Sequence, residues 1–118
     1  MEKVFIEVPL MGEYLTTVRL TTGGICALAG FDVDETEDFK VCVTESLLIL
    51  KRNGYTRAKI CFSVDQALGC TITGEAYNGV KENTLEDEIS RALLSALLGD
   101  VQFVNNANGE VESIVFEG

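Results

Sequence analysis

The chain has 118 residues, near the commonest size of a single domain, and 47% of them are hydrophobic against 24% charged, a balance that argues against disorder. Acidic residues outnumber basic ones 19 to 9, a formal charge of −10; such a field repels phosphate backbones and anionic lipid, so neither nucleic acid nor a membrane surface is an expected partner. Histidine is absent, which removes the commonest general base and the commonest metal ligand.

Lys3 to Val8 alternates Val4, Ile6 and Val8 against Lys3, Phe5 and Glu7, which predicts a strand with one buried face, stopped by Pro9. About Gly12 to Ala29 has helical spacing, with Tyr14, Val18, Thr21, Ile25 and Leu28 as its expected stripe. Gly30 is the expected left-handed cap. The helix from about Asp34 to Arg52 is the clearest element. Asp34 is its expected N-cap, with Glu35, Glu37 and Asp38 in the first turn and Lys51 and Arg52 at the far end. Phe39, Val43, Ser46, Leu47 and Leu50 form one stripe, and Val41, Leu48 and Ile49 add apolar surface elsewhere, so burial over much of the circumference is expected. Asn53-Gly54 ends it.

Ala58 to Val64 and Cys70 to Ala76 then read as a strand pair joined near Gln66 to Gly69, and Tyr77 to Asn83 as a loop. Thr84 and Asp87 resemble a capping box. The helix they open carries Leu85, Ile89, Ala92, Leu93 and Ala96 in register and closes at Gly99. Val101 to Asn105 and Val111 to Phe116 are the last strands, joined through Asn108-Gly109, a strong hairpin signal. The order β-α-α-β-β-α-β-β predicts one α+β domain spanning residues 1–118. It is a two-layer sandwich, a single mostly antiparallel sheet with three helices on one face.

No apolar run approaches the roughly 18 residues of a membrane span, and Met1-Glu2-Lys3-Val4 lacks the basic and apolar regions of a signal peptide. The expected location is cytoplasmic. Cys26, Cys42, Cys61 and Cys70 are scattered without a C-x-x-C pair, so they are expected as small buried hydrophobes and not as a redox or metal site.

Three stretches carry a resemblance. They are the opening strand with Gly12-Glu13-Tyr14-Leu15-Thr16-Thr17-Val18-Arg19, the run Phe31 to Glu45 with its acidic cap and glutamate, and Asn53-Gly54-Tyr55 at the close of that helix. With the element order and the terminal hairpin Phe103 to Phe116, they resemble the GHKL (Bergerat-fold) ATPases. Within that family the likeness is to the bacterial serine-kinase anti-sigma factors. The family's N-box sets a Glu, which orients or deprotonates a nucleophile, four residues before an Asn that holds Mg²⁺. Here Glu45 keeps the first position and Ile49, with no ligand atom, takes the second. The adenine box, Asp-x-Gly-x-Gly, falls on Gly74-Glu75-Ala76-Tyr77-Asn78, or one residue later on Glu75 to Gly79 with Tyr77 at the first glycine. The glycine-rich phosphate loop falls on Asn83 to Ile89, which has no glycine and carries Glu86, Asp87 and Glu88.

The resemblance therefore implies a degenerate nucleotide site at Ile49, Asn53, Gly74, Ala76 and Asn78, with Glu45 as a vestigial catalytic base and no metal. Other readings of single features are blander. Glu45 is expected to be solvated or paired with Arg52 or Arg19. Asp32, Asp34, Glu35, Glu37 and Asp38 are expected to cap a helix. Lys51, Arg52, Arg57 and Lys59 are expected to be solvated and not to grip an acidic partner, and Leu47 to Leu50 to fill core. The implied function is a catalytically degenerate anti-sigma-factor-like domain in bacterial transcription regulation. It would bind a sigma factor or an anti-anti-sigma factor without any cofactor, and pair as a homodimer. The alternative is an active serine/threonine protein kinase using ATP with Mg²⁺ through Glu45. A structural or dimerisation subunit is a third reading.

Overall fold

The computed structural model describes residues 2–65, 67–80 and 85–118. Along the chain run β1 (Glu2–Pro9), α1 (Gly12–Leu28), α2 (Val33–Arg52), β2 (Tyr55–Val64), β3 (Leu68–Tyr77), α3 (Leu85–Leu98), β4 (Val101–Asn105) and β5 (Val111–Glu117), in the predicted order. The strands form one five-stranded sheet, ordered β1-β2-β3-β5-β4, and every neighbouring pair is antiparallel. The fold is the expected α+β sandwich. Gln66 of the predicted turn, and Asn83 and Thr84 with the cap assigned to them, lie outside the described residues.

Alternation decides which face of the sheet is covered. Val4, Ile6 and Val8 lie opposite Phe62, Ile60 and Ala58, and the row continues through Cys70 and Ile72 to Phe116 and Ile114. Ala58, Ile60, Phe62, Ile72 and Ile114 have no exposed surface, so this is the face under the helices. On the other face Phe5 is 56% exposed, and the Lys59 ammonium sits 4.9 Å from its ring centre. α2 occupies the middle of the helical layer, against β2, β3 and β5 below and α1 and α3 on either side. Phe39, Val43, Leu47 and Leu50 are all buried, as their spacing predicts, and each contributes about 1.5–3 kcal/mol on burial.

The structure moves three sequence assignments. The N-cap of α2 is Asp32, not Asp34. The Asp32 carboxylate accepts from the Glu35 amide at 2.8 Å and the Glu35 carboxylate accepts from the Asp32 amide at 3.0 Å, a reciprocal box that Asp34 is two residues too late to make. In α1, Val18 and Ile25 are buried, but Leu28 is 75% exposed and Tyr14 is 40% exposed, while Thr22 and Cys26 take the inner places. This helix lies at the margin of the layer, against α2 and β2, so only a narrow stripe is covered. In α3 the predicted stripe faces out: Leu85 is 72% exposed and Ile89 is 58% exposed, whereas Ser90 and Leu94 are buried. Gly30 (φ +80°) does take the left-handed conformation after α1, and the Asn106–Glu110 turn joins β4 to β5 with the Asn106 side chain accepting from the amides of Asn108 and Glu110.

All four cysteines are free thiols. Cys26, Cys42 and Cys70 are buried as expected, and Cys61, on the open face of β2, is only half-buried. Burial pushes all three buried thiols up, Cys42 to about 12, with the Asp38 and then the Glu45 carboxylate adding to the effect. A disulfide-exchange reagent at pH 8 is therefore expected to modify one thiol, Cys61, quickly, and the other three only at the rate of unfolding. A Cys61→Ser variant that still shows a fast thiol contradicts this. The unfolded thiols ionise near pH 8.5 while the folded ones stay protonated, so the unfolded chain binds fewer protons in that range. Stability is expected to be full below about pH 8.5 and to fall as pH rises from there toward 12, measured by denaturant titration across the range.

Candidate functional site

Glu45 and Ile49 project from the half of α2 that meets α3. Glu45 is not left to solvent, nor joined to arginine directly. Its Oε2 accepts a hydrogen bond from the Ser90 hydroxyl at 3.0 Å, and the same hydroxyl oxygen accepts from Arg52 Nη1 at 2.9 Å. Arg52 reaches Asp87 as well, Nη1 to Oδ1 at 3.9 Å, and Asp87 Oδ2 accepts from Arg91 Nε at 3.2 Å. Arg91 in turn lies over the Phe103 ring, 4.9 Å from its centre. The chain Glu45–Ser90–Arg52–Asp87–Arg91 thus ties α2 to α3 across their contact. Ser90 is 2% exposed, so its bonds are made away from water and are worth more than surface ones.

One turn beyond Glu45, Ile49 has no exposed surface and belongs to the core. One turn further, Asn53 is 4% exposed and its amide is fully committed. Nδ2 donates to the Ile49 carbonyl at 2.7 Å, and Oδ1 accepts from the Val111 amide at 3.1 Å, fastening the end of α2 to the start of β5. Its role is structural continuity between two elements 58 residues apart.

The stretch Gly74–Asn78 ends β3 beside this helix terminus. Gly74 offers no side-chain acceptor and no space for one: a Cβ there would fall 2.6 Å from Tyr55 Cδ1. Gly54 makes the matching concession on the other ring, since a Cβ would lie 2.9 Å from Tyr77 Cε1, and its φ of +98° suits glycine alone. Tyr55 and Tyr77 consequently pack at 5.0 Å between ring centres. The Tyr77 hydroxyl donates to Glu110 Oε1, a bond that raises the Tyr77 phenol above its ordinary value. The Tyr55 hydroxyl accepts from Asn106 Nδ2 at 3.0 Å. Ala76 holds φ +57°, the left-handed conformation, at the position matching a glycine of the adenine box, and its carbonyl accepts from Thr56 Oγ1 at 2.7 Å. Asn78 is exposed, with its Oδ1 accepting from the Val80 amide at 2.8 Å.

Ser90 and the Tyr77–Glu110 and Tyr55–Asn106 pairs had no signal in the sequence, because their partners lie tens of residues away, whereas Asp87 and Arg91 stand four apart on one helix. Other expectations fare differently. The basic residues are split: Arg52 turns to α3, Lys59 to Phe5, and Arg57 stands opposite Glu75 across the strand pair. Asp32 and Glu35 cap α2, and Glu37 pairs with Lys40 at 3.4 Å. Leu47 and Leu48 line a hollow of about 40 Å³ with Leu10, Met11 and Leu15, room for about one water. A larger hollow of about 470 Å³ lies at Leu98, Asp100, Gln102, Val115, Phe116 and Glu117, and none of the residues of the Glu45 chain lines it. Among the described residues, no group of three or more Asp, Glu or Cys is placed to hold a metal ion, and no helix is long and apolar enough to cross a membrane.

No protein-family model matches the chain. Over 54 residues it is 32% identical to the serine-protein kinase RsbW of Bacillus cereus (strain AH187), of Bacillus thuringiensis (strain Al Hakam) and of Bacillus mycoides (strain KBAB4). The match covers 46% of this chain and 34% of each relative, so the chain spans about a third of the length of the curated relatives it matches. This is a partial likeness to serine-protein kinases of one kind, and it falls on the kind of protein that the residue patterns resemble.

Replacing Ile49 by Asn strands an amide in the core, and the expected cost is about 2–4 kcal/mol. Ser90→Ala leaves the Glu45 carboxylate and the Arg52 guanidinium without their shared hydroxyl, and is expected to cost about 1–3 kcal/mol. Denaturant unfolding of both variants measures this. An unchanged midpoint for Ile49→Asn would mean that the position opens to solvent.

Proposed function

We propose that this chain is a regulatory module of the anti-sigma-factor kind, which acts by holding a protein partner and not by transferring phosphate. The partner under this reading is a sigma factor or an anti-anti-sigma factor. One observation carries it: the face of α2 that presents Glu45 is covered by α3, with Ile49 wholly buried at the step where a metal-binding amide would stand. Three further features support it. The Asn53 amide is committed to backbone groups, Gly74 supplies no side-chain acceptor for a base edge, and Tyr55 and Tyr77 pack together at the end of β3. These residues do not fit Mg²⁺ with a nucleoside triphosphate, and no chemical step is derived through that pair. The partial likeness to serine-protein kinases is the ground for the regulatory class, since a fold alone does not assign one.

A specific observation also favours a second reading, an active protein kinase: Glu45 is present, carboxylate in hand, and its Oε2 already bonds a serine hydroxyl. Calorimetric titration with ATP and Mg²⁺ separates the two. No saturable binding is expected at millimolar nucleotide. A dissociation constant below about 100 μM, near −5.5 kcal/mol, favours the kinase and removes the degenerate reading.

Pairing with a second copy belongs to the same proposal. Two chains of −10 each repel, and an interface has to bury at least about 1,000 Å² in total to overcome this. Light scattering over a concentration series is expected to show a dimer that tightens as salt screens the repulsion. A monomer at about 100 μM in low and high salt would exclude it.

A further inference from the structure

The first half of α3 turns polar side chains inward, and its second half packs Leu94, Leu97 and Leu98 on the core. Ser90, Asp87 and Arg91 meet α2 and the sheet edge, and Leu94 is the fully buried apolar anchor of the helix. The opposite side carries Leu85, Ile89, Ala92 and Ala96, all exposed. Their steps of four, three and four residues are those of a coiled-coil seam, which runs straight along a helix for about 16 Å. Two large side chains lie at one end of the seam and two alanines at the other, a shape that lets a second helix approach closely. The positions flanking the first half of the seam are Glu86 and Glu88, both exposed. Arg91, the one basic residue of this helix, is partly exposed but is engaged by Asp87 and Phe103 and not by these glutamates.

We propose that this face of α3 is the docking surface for an amphipathic helix of a partner protein. Such a helix carries large apolar side chains at heptad spacing, with lysine or arginine beside them. Charge selects this occupant over a second copy of the chain. Two α3 helices laid parallel bring four glutamates together. Laid antiparallel along the seam, they set Glu86 and Glu88 near Leu93 and Ser95 of the other copy, again without a cation. A basic helix pairs with both glutamates while its apolar side covers Leu85 and Ile89, and it is drawn in by the net charge of −10. The assignment rests on the reading of the chain as a protein-binding module and says where that binding occurs.

Two synthetic helical peptides test it, each with leucine along the seam, one flanked by lysine and the other by glutamate. Each is labelled with a fluorophore and used at concentrations where the peptide alone is monomeric. The lysine peptide is expected to bind the full chain one to one and the glutamate peptide not to bind. The affinity should fall as salt rises from about 20 mM to about 500 mM. Leu85→Asp with Ile89→Asp should weaken binding at least about tenfold, while Leu20→Asp, an equally exposed leucine on α1, should leave it unchanged. Glu86→Lys with Glu88→Lys should narrow the preference between the two peptides at least about fivefold more than Glu2→Lys with Glu13→Lys, which changes the net charge equally at another site. All substituted positions are exposed, and each variant is checked for an unchanged unfolding midpoint. The surface is overturned if neither peptide binds at about 100 μM, if the α3 double variant binds as tightly as the unaltered chain, or if the two charge reversals act alike. Each of these results bears on α3 alone, because the protein-binding reading itself stands or falls on the nucleotide titration.

Discussion

The burial of α2 on three sides organises the molecule. It lies over the middle strands of the sheet and between the other two helices, so nearly every direction around its axis meets protein. A helix in that position has to be apolar over most of its circumference. Phe39, Val43, Leu47 and Leu50 meet that demand toward the sheet, and Ile49 meets it toward α3. Glu45 and Arg52 are two charged groups of this helix that point at a neighbouring helix. Both are half-buried, and a charge drawn partly out of water is costly without partners, so whatever covers them has to bring hydrogen-bonding groups.

The orientation of α3 follows from that requirement. Ser90 bridges the two charges with a single hydroxyl, and Asp87 receives both Arg52 and Arg91. Rotating α3 to bury Leu85 and Ile89 would withdraw these groups and leave the carboxylate and the guanidinium of α2 against leucine and isoleucine. The same rotation would lift Leu94, Leu97 and Leu98 off the core, so burying Leu85 and Ile89 is offset by apolar area lost. The exposed seam of α3 is thus the other side of the Glu45–Ser90–Arg52 contact. One constraint closes a candidate site and opens an apolar surface on the outside.

The end of the sheet near α2 is held by a second set of contacts with a different logic. Two glycines, Gly54 and Gly74, leave room for two tyrosines, and each hydroxyl finds a partner near the β4–β5 turn. Asn53 adds a bond from α2 to β5. These contacts join the central helix, the β2–β3 pair and the terminal hairpin at one corner. Residues that the family resemblance assigns to a nucleotide are here engaged with other parts of the chain. The left-handed φ of Ala76, and in the shifted register that of Gly79, are backbone features at that corner that match glycines of the resembled motif.

Elements were legible wherever local rules decide them. Alternation marked β1 and the inner row of β2, the apolar stripe and the flanking charges marked α2, and Asn108-Gly109 marked the last hairpin, because periodicity and turn chemistry act over a few residues. Glu45 and the buried Ile49 were legible too, as positions on a helix whose face could be counted. The cap of α2 was misplaced by two residues because Asp32 and Asp34 are chemically alike, and only the bond to the Glu35 amide separates them. The stripe of α3 was read as core because its spacing is as regular as a core stripe. Which side of an amphipathic helix faces inward depends on what its neighbour presents. That neighbour carries Glu45 and Arg52, 45 residues before Ser90 and 38 before it. The sequence by itself determined the elements and the composition of each face. The tertiary structure alone decided which face of α3 is spent on the core, because the half-buried Glu45 and Arg52 can be satisfied only by a group brought close in space.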